Sequence, residues 1–181
     1  NTSVVISKKI PVIVIDPGHG GIDPGSTSGR IFEKHITLAA AKEMKKHLES
    51  MGRYKVFLTR TKDMFIRLRK RRTIARNYKA DLFVSLHADA IRNKNIRGLS
   101  IYTLSEKASD REAAYLAEQE NKSDLIAGID LSNESKEVAN ILIDLAQRET
   151  MNESSRLAYE LAKYIRKFSR TLSNAHRFAG F

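Results

Sequence analysis

The sequence predicts an α/β fold: a single twisted, mostly parallel sheet flanked by helices on both faces. Three observations carry this expectation. Short β-branched apolar runs alternate with stretches of helical periodicity as far as Leu104. Two of those runs end in histidine. After the fourth run the pattern changes to polar, helical sequence, as a helical insert would read.

Taken in order, Ile10 to Asp16 reads as a buried strand stopped by Pro17-Gly18. Pro17 to Phe32 is a loop with five glycines and two prolines. Ile36 to Met51 has helical spacing through Leu38, Met44 and Leu48, and Gly52 follows as its stop. Tyr54 to Arg60 is a second strand, Phe65 to Lys79 a basic helix, Leu82 to His87 a third strand and Gly98 to Leu104 a fourth. Ser109 to Glu120 is a polar helix, and Asn121 to Ser135 is loop-like. Lys136 to Arg148 is amphipathic through Val138, Ile141, Leu142 and Leu145, and Ser154 to Phe168 is a further helix. No strand is read after Leu104. No repeat or linker interrupts the chain, so 1–181 reads as one domain with 105–150 as its insert.

Composition narrows the function classes. A chain of 181 residues fits one domain and buries a core without covalent staples. With 41% hydrophobic and 29% charged residues it is not disordered throughout. The absence of cysteine excludes disulfides and thiolate metal sites. No apolar run approaches the ~18 residues of a membrane span. None near the start reads as a signal peptide, so the leader of an exported protein is expected to be removed or to lie outside this sequence. The net charge of +11 implies an anionic partner. Arg67, Arg69, Lys70, Arg71 and Arg72 concentrate that charge and read as a solvated helix face. No aromatic interleaving accompanies them, which argues against nucleic acid.

Sites in open α/β sheets form beyond the carboxyl ends of the strands. His19 follows the first strand and His87 the third, so parallel strands deliver both to one edge. Glu33 closes the glycine-rich loop on that edge. Two imidazoles and a carboxylate make the three-ligand set of a catalytic zinc with its fourth position open. Each histidine alone also reads as an ordinary loop residue. Asp16 either orients His19 or its loop from behind or is a strand-end turn residue. Gly18, Gly20 and Gly21 permit close backbone approach around a metal, or simply a flexible loop. Ser85 and Asp89 stay unassigned, His35 is expected to point elsewhere, and His47 reads as a surface residue.

Four segments then occur in a telling order. They are Val14-Ile15-Asp16-Pro17-Gly18-His19-Gly20-Gly21 with Asp23-Pro24-Gly25; Glu33-Lys34 before a helix; Leu58-Thr59-Arg60 with Asp63; and Asp81-Leu82-Phe83-Val84-Ser85-Leu86-His87-Ala88-Asp89. Together they resemble the zinc-dependent N-acetylmuramoyl-L-alanine amidases of the type-3 family, from Ile10 to Leu104 and again from Arg166 to Phe181. The resemblance implies that His19, Glu33 and His87 hold one zinc ion. It also implies hydrolysis of the amide between N-acetylmuramic acid and L-alanine in peptidoglycan, with a carboxylate relaying the proton. In the family that carboxylate is a glutamate on a late strand. No residue here matches it, so the catalytic base is unassigned, and zinc binding with severely impaired turnover is expected of the sequence as it stands.

Residues 105–150 resemble the extra helical segment of the cell-division amidases of Gram-negative bacteria. That likeness implies a periplasmic enzyme of daughter-cell separation, blocked until a LytM-domain activator binds. Glu112, Glu118 and Glu120 are candidates for an inhibitory zinc ligand, with Glu118 or Glu120 preferred; a solvated charged helix is the alternative. Lys136 to Arg148 is the candidate activator dock, unless its apolar stripe packs on the domain. The rival functions are a zinc peptidase, a zinc-site peptidoglycan-binding module without turnover, and a nucleic-acid binder suggested by charge.

Overall fold

A computed structural model describes residues 9–88, 97–122 and 141–181. The fold is α/β with mostly parallel strand pairing and flanking helices. The chain divides into two compact units, Asn1–Ala90 and Ile91–Phe181.

In the first unit, β1 (Val12–Pro17) is buried along nearly its whole length. A strand covered on both faces has no polar alternation, which is why the sequence shows an unbroken apolar run. The loop after it carries a small antiparallel pair, β2 (Thr27–Ser28) with β3 (Ile31–Phe32), where the sequence indicated loop alone. Helix α1 (Glu33–Ser50) starts three residues earlier than its apolar periodicity indicates. Its N-cap, Phe32, offers no side-chain acceptor. Instead the carbonyls of Ser26 and Pro24 accept from the amides of Glu33 and Lys34, satisfying donors that a helix start leaves open. Strand β4 (Lys55–Leu58), helix α2 (Leu68–Asn77) and strand β5 (Leu82–Leu86) complete the unit.

The sheet order is β4-β1-β5, with both neighbours parallel to β1. Ile13, Ile15, Ala41 and Val56 form its core, and Met44, Leu48, Leu58, Leu82 and Leu86 pack around them. Met44 and Leu48 therefore face inward, as their spacing indicates. The basic helix differs from expectation at one position. Arg67, Arg69, Lys70 and Arg72 are exposed, but Arg71 is only 4% exposed.

In the second unit, β6 (Leu99–Leu104) pairs in parallel with β7 (Thr171–Ala179). The sequence did not indicate β7. Its alternate buried positions are Ala175, Arg177 and Ala179. Two alanines and an arginine carry none of the β-branched signal that marks a strand. Helix α3 (Arg111–Asn121) is capped by Asp110, whose side chain accepts from the Ala113 amide. It packs Ala113 and Ala117 against Ala179. Helix α4 (Ile141–Ile165) is continuous where the sequence indicated two helices. No glycine or proline separates the two stretches, so polar residues alone do not stop it. Lys136 to Asn140, the start of the candidate dock, lies outside the described residues, as does most of the Asn121 to Ser135 loop. No described helix is long and apolar enough to cross a membrane.

Candidate metal centre

Parallel pairing explains how distant residues meet. The ladder between β1 and β5 ends at Pro17 and Leu86. One further bond, from the Gly18 amide to the Leu86 carbonyl at 2.9 Å, keeps the two chains together as they leave the sheet. His19 and His87 then emerge side by side, with ring centroids 4.9 Å apart and planes nearly perpendicular. Glu33, the first residue of α1, reaches both. Its Oε1 lies 3.2 Å from His19 Nε2 and 3.3 Å from His87 Nδ1.

These separations test the metal reading. Donors ~2.0–2.1 Å from a tetrahedral zinc lie roughly 3.3 Å from one another. Two imidazole nitrogens and a carboxylate oxygen at this spacing fit zinc in both chemistry and separation. His19 and Glu33 are buried, whereas the His87 side chain is 26% exposed and leaves the centre open on one side.

The carboxylates are set by their surroundings. Burial by itself raises the Glu33 pKa, but hydrogen bonds from His19, His87 and the Ala88 amide outweigh it and hold the carboxyl well below the usual range. The Ala88 amide donates to Oε1 at 2.7 Å and the Ser26 amide to Oε2 at 2.8 Å. Asp23 behaves alike: burial raises it, and the hydrogen bond with His19 leads the effects that bring it below its ordinary value. Asp23 Oδ2 lies 2.9 Å from His19 Nδ1. With a metal in place of the Nε2 proton, the proton held on Nδ1 by this carboxylate would leave the Nε2 lone pair available as a ligand.

The partner of His19 is thus Asp23, and Asp16 does not reach the imidazole. Asp16 accepts from Thr59 Oγ1, from Arg71 at 2.9 Å and from Ser85 Oγ at 2.9 Å. Arg71 in turn donates to the His19 carbonyl at 2.9 Å. Asp16 is thus joined to the backbone of His19 through Arg71.

Two glycines make the close approach possible. A Cβ on Gly18 would stand 2.5 Å from His87 Cε1, and one on Gly25 would stand 2.6 Å from His19 Cδ2. A Cβ on Gly20 or Gly21 would meet the backbone of Met64 or Phe65 and not the imidazoles. His19 itself has φ of 60°, a left-handed conformation costing a non-glycine residue about 1 kcal/mol or more.

Other expected residues fall as follows. His35 is exposed and 3.6 Å from Asp63, and His47 is exposed. Ser85 donates to Asp16, and Asp89 lies outside the described residues. Glu112 is engaged by Arg177 at 3.1 Å, alongside Asp110. Glu118 and Glu120 lie on α3, and Glu118 pairs with Lys122. Sequence reasoning missed Asp23, Arg60 and Arg71. Asp23 stands four residues after His19 within a quoted motif, and Arg60 lies in another. Arg71 shares a helix face with buried Ala75, four residues on, which is the one signal separating it from its charged neighbours.

The family model described as N-acetylmuramoyl-L-alanine amidase, Amidase_3, matches residues 13–180. The chain is 43% identical over 149 residues to N-acetylmuramoyl-L-alanine amidase AmiC of Neisseria meningitidis serogroup B, covering 81% of this chain and 35% of that protein. It is 38% identical over 172 residues to N-acetylmuramoyl-L-alanine amidase AmiA of Escherichia coli K12, covering 94% and 59%. Among solved structures, the catalytic domain of CwlV, an N-acetylmuramoyl-L-alanine amidase from Bacillus (Paenibacillus) polymyxa var. colistinus, superposes with a TM-score of 0.50 at 36% identity, covering 53% of this chain and 55% of that one. The chain thus spans 35% to 59% of the length of these two curated relatives.

Proposed function

Since the chain belongs to the N-acetylmuramoyl-L-alanine amidase family Amidase_3, we propose that it hydrolyses the amide between N-acetylmuramic acid and L-alanine in peptidoglycan, using one zinc ion held by His19, Glu33 and His87. The observation that carries this reading is the convergence of three donor atoms at 3.2 and 3.3 Å on the carboxyl edge of a parallel sheet. The names of the relatives support the choice of bond and substrate.

Zinc at this position supplies a Lewis acid suited to polarising an amide carbonyl and activating water. The chain's own residues prepare the place. Asp23 fixes the His19 tautomer and increases the basicity of Nε2. The Ser26 and Ala88 amides keep Glu33 ionised and oriented. The partly exposed His87 leaves room for the scissile bond to approach.

Export to the periplasm, a part in daughter-cell separation and control by a LytM-domain activator belong to the same proposal. They rest on the likeness of 105–150 to the regulatory segment of Gram-negative relatives. Glu118 or Glu120 of α3 is the proposed inhibitory ligand, and Lys136 to Arg148 the proposed dock.

Incubation of the full chain with purified peptidoglycan and zinc, followed by mass analysis of the soluble products, tests the activity. Intact stem peptides beginning at L-alanine, lost on chelation and released slowly because no residue here matches the family's proton-relaying glutamate, are expected. Cleavage within the stem would identify a peptidase, and binding without products a binding module; either overturns the amidase reading. A rise in basal rate in Glu118→Gln or Glu120→Gln is the expected sign of self-inhibition.

A further inference from the structure

We infer that Arg71 and Arg60 are positioning residues of the metal centre, two buried guanidinium groups that shape the His19 loop so that its imidazole meets Glu33 and His87. The inference rests on the zinc reading above. Both side chains are almost fully buried, at 4% and 2% exposure. Buried arginines are uncommon and costly unless every donor is used.

Here the donors are spent on backbone. Arg71 donates from Nε to the Ile66 carbonyl at 2.8 Å, from one terminal nitrogen to Asp16 and the Pro17 carbonyl at 2.9 Å each, and from the other to the His19 carbonyl at 2.9 Å. Arg60 donates from Nε to the Pro17 carbonyl at 2.9 Å. One of its terminal nitrogens donates to the Gly18 and Lys34 carbonyls at 2.8 Å each and to Thr37 Oγ1 at 3.1 Å. The carbonyls of Pro17, Gly18 and His19, three residues in succession, all end on arginine. Gly18 also accepts from Thr37 Oγ1 at 2.9 Å, so the arginines are the side-chain donors that hold the Pro17 and His19 carbonyls and share that of Gly18.

The two forks divide the task. Arg71 grips the His19 carbonyl while that residue holds φ of 60°, so it fixes the unusual backbone conformation that turns the imidazole inward. Arg60 bridges the Gly18 and Lys34 carbonyls, so it fixes the segment bearing His19 against the helix start bearing Glu33. Of the carboxylates, Asp16 alone hydrogen-bonds to the pair among the described residues. Stability by itself gives little reason to bury two neighbouring cations, because an apolar side chain fills such space at less cost. A rigid planar fork is needed where several acceptors must be held at fixed directions, and lysine does not reproduce it.

The test compares wild type, Arg71→Lys and Arg60→Lys in the full chain. Zinc affinity is read by chelator competition, ligand geometry from the visible spectrum of the Co2+-loaded protein, and folding from thermal melts without metal. Each lysine variant is expected to melt near wild type without metal, to bind zinc ~10–100-fold more weakly, and to show shifted cobalt bands. Folded variants with wild-type zinc affinity and an unchanged cobalt spectrum would overturn the inference and leave the zinc reading intact. Failure of both metal-free variants to fold would assign the pair to fold stability and overturn it too. A wild type that binds no zinc would remove the zinc reading and this inference with it.

Discussion

The two units of this chain treat buried charge in opposite ways. In the first, Asp16, His19, Asp23, Glu33, Arg60 and Arg71 are all buried, and each is held by another of the six or by backbone amides and carbonyls of the same unit. In the second, the described buried polar residues are Thr103 and Arg177, and the core is largely alanine. Its charged cluster of Arg177, Asp110 and Glu112 is partly open, with carboxylates 41% and 47% exposed. Burying an ion costs several kcal/mol before its partners offset it. A region that buries six is organised around position, not economy of stability, and such regions are where chemistry is found. The second unit uses charge as an ordinary tie between a strand and a helix.

The sharpest way to break this contrast is at Glu33. Its carboxylate receives the Ser26 and Ala88 amides and faces both histidines. Glu33→Gln should lower zinc affinity by more than ~100-fold, beyond the loss typical of an outer partner, and abolish amide hydrolysis. Retained zinc affinity in a folded variant would remove Glu33 from the ligand set. The substitution also has a signature without metal. The Glu33 and Asp23 pKa values are lowered by folding. Each therefore contributes stability that is fully present above the ordinary carboxylate pKa of about 4 and lost progressively as pH falls from there toward the lowered folded value. Urea unfolding of the metal-free chain between pH 7 and 3 should show a loss of stability toward acid that is shallower in Glu33→Gln.

Asp23→Asn is expected to come next in size. The amide keeps the shape but exchanges the acceptor for a weaker one, so His19 loses its fixed tautomer. Zinc affinity should fall ~10–100-fold, and the metal-free melt should lose at neutral pH only the charge-dependent stability that the lowered Asp23 pKa supplies. An affinity equal to wild type would show that the His19 orientation comes from the loop alone.

The same contrast explains what could be read from sequence. β1 is a continuous apolar run because it is buried on both faces, β5 is legible from its own apolar run although Phe83 and Ser85 are exposed, and their parallel pairing follows from the α/β order. Once that is granted, His19, Glu33 and His87 fall on one edge. The supporting charges are harder to see. Arg71 lies in a run of basic residues and differs from them only by facing inward, which is a tertiary fact. Asp16 and Asp23 are both near His19 in sequence, and only the path of the loop decides which one meets the imidazole. The second unit hides its strand for another reason. Where Ala175, Arg177 and Ala179 point inward, no hydrophobic alternation exists to be read.

The smallest effect is predicted in that second unit, at Asp110. Its side chain caps α3 through the Ala113 amide at 2.9 Å and also accepts from Arg177 Nε at 3.1 Å. A terminal nitrogen of Arg177 donates to Oδ1 as well, so Asp110→Ala removes the cap and both contacts with Arg177. The cap contributes about 1 kcal/mol, and a partly exposed ion pair adds up to about 1 kcal/mol more. Asp110→Asn keeps the cap, because an amide oxygen still accepts from the helix amide, so it should lose the second part alone. Acid unfolding separates the two roles. The hydrogen bond from Arg177, followed by that from the Ala113 amide, lowers the Asp110 pKa. Its charge-dependent stability is thus present above the unfolded value of about 3.9 and lost as pH falls below it. Asp110→Asn should remove that portion of the acid sensitivity, while Asp110→Ala lowers stability at every pH. Denaturant melts at pH 7 and pH 3 measure both. A cost of several kcal/mol for Asp110→Asn at pH 7 would mean that this exposed cluster behaves like the buried network of the first unit, and the distinction between the two units would fail.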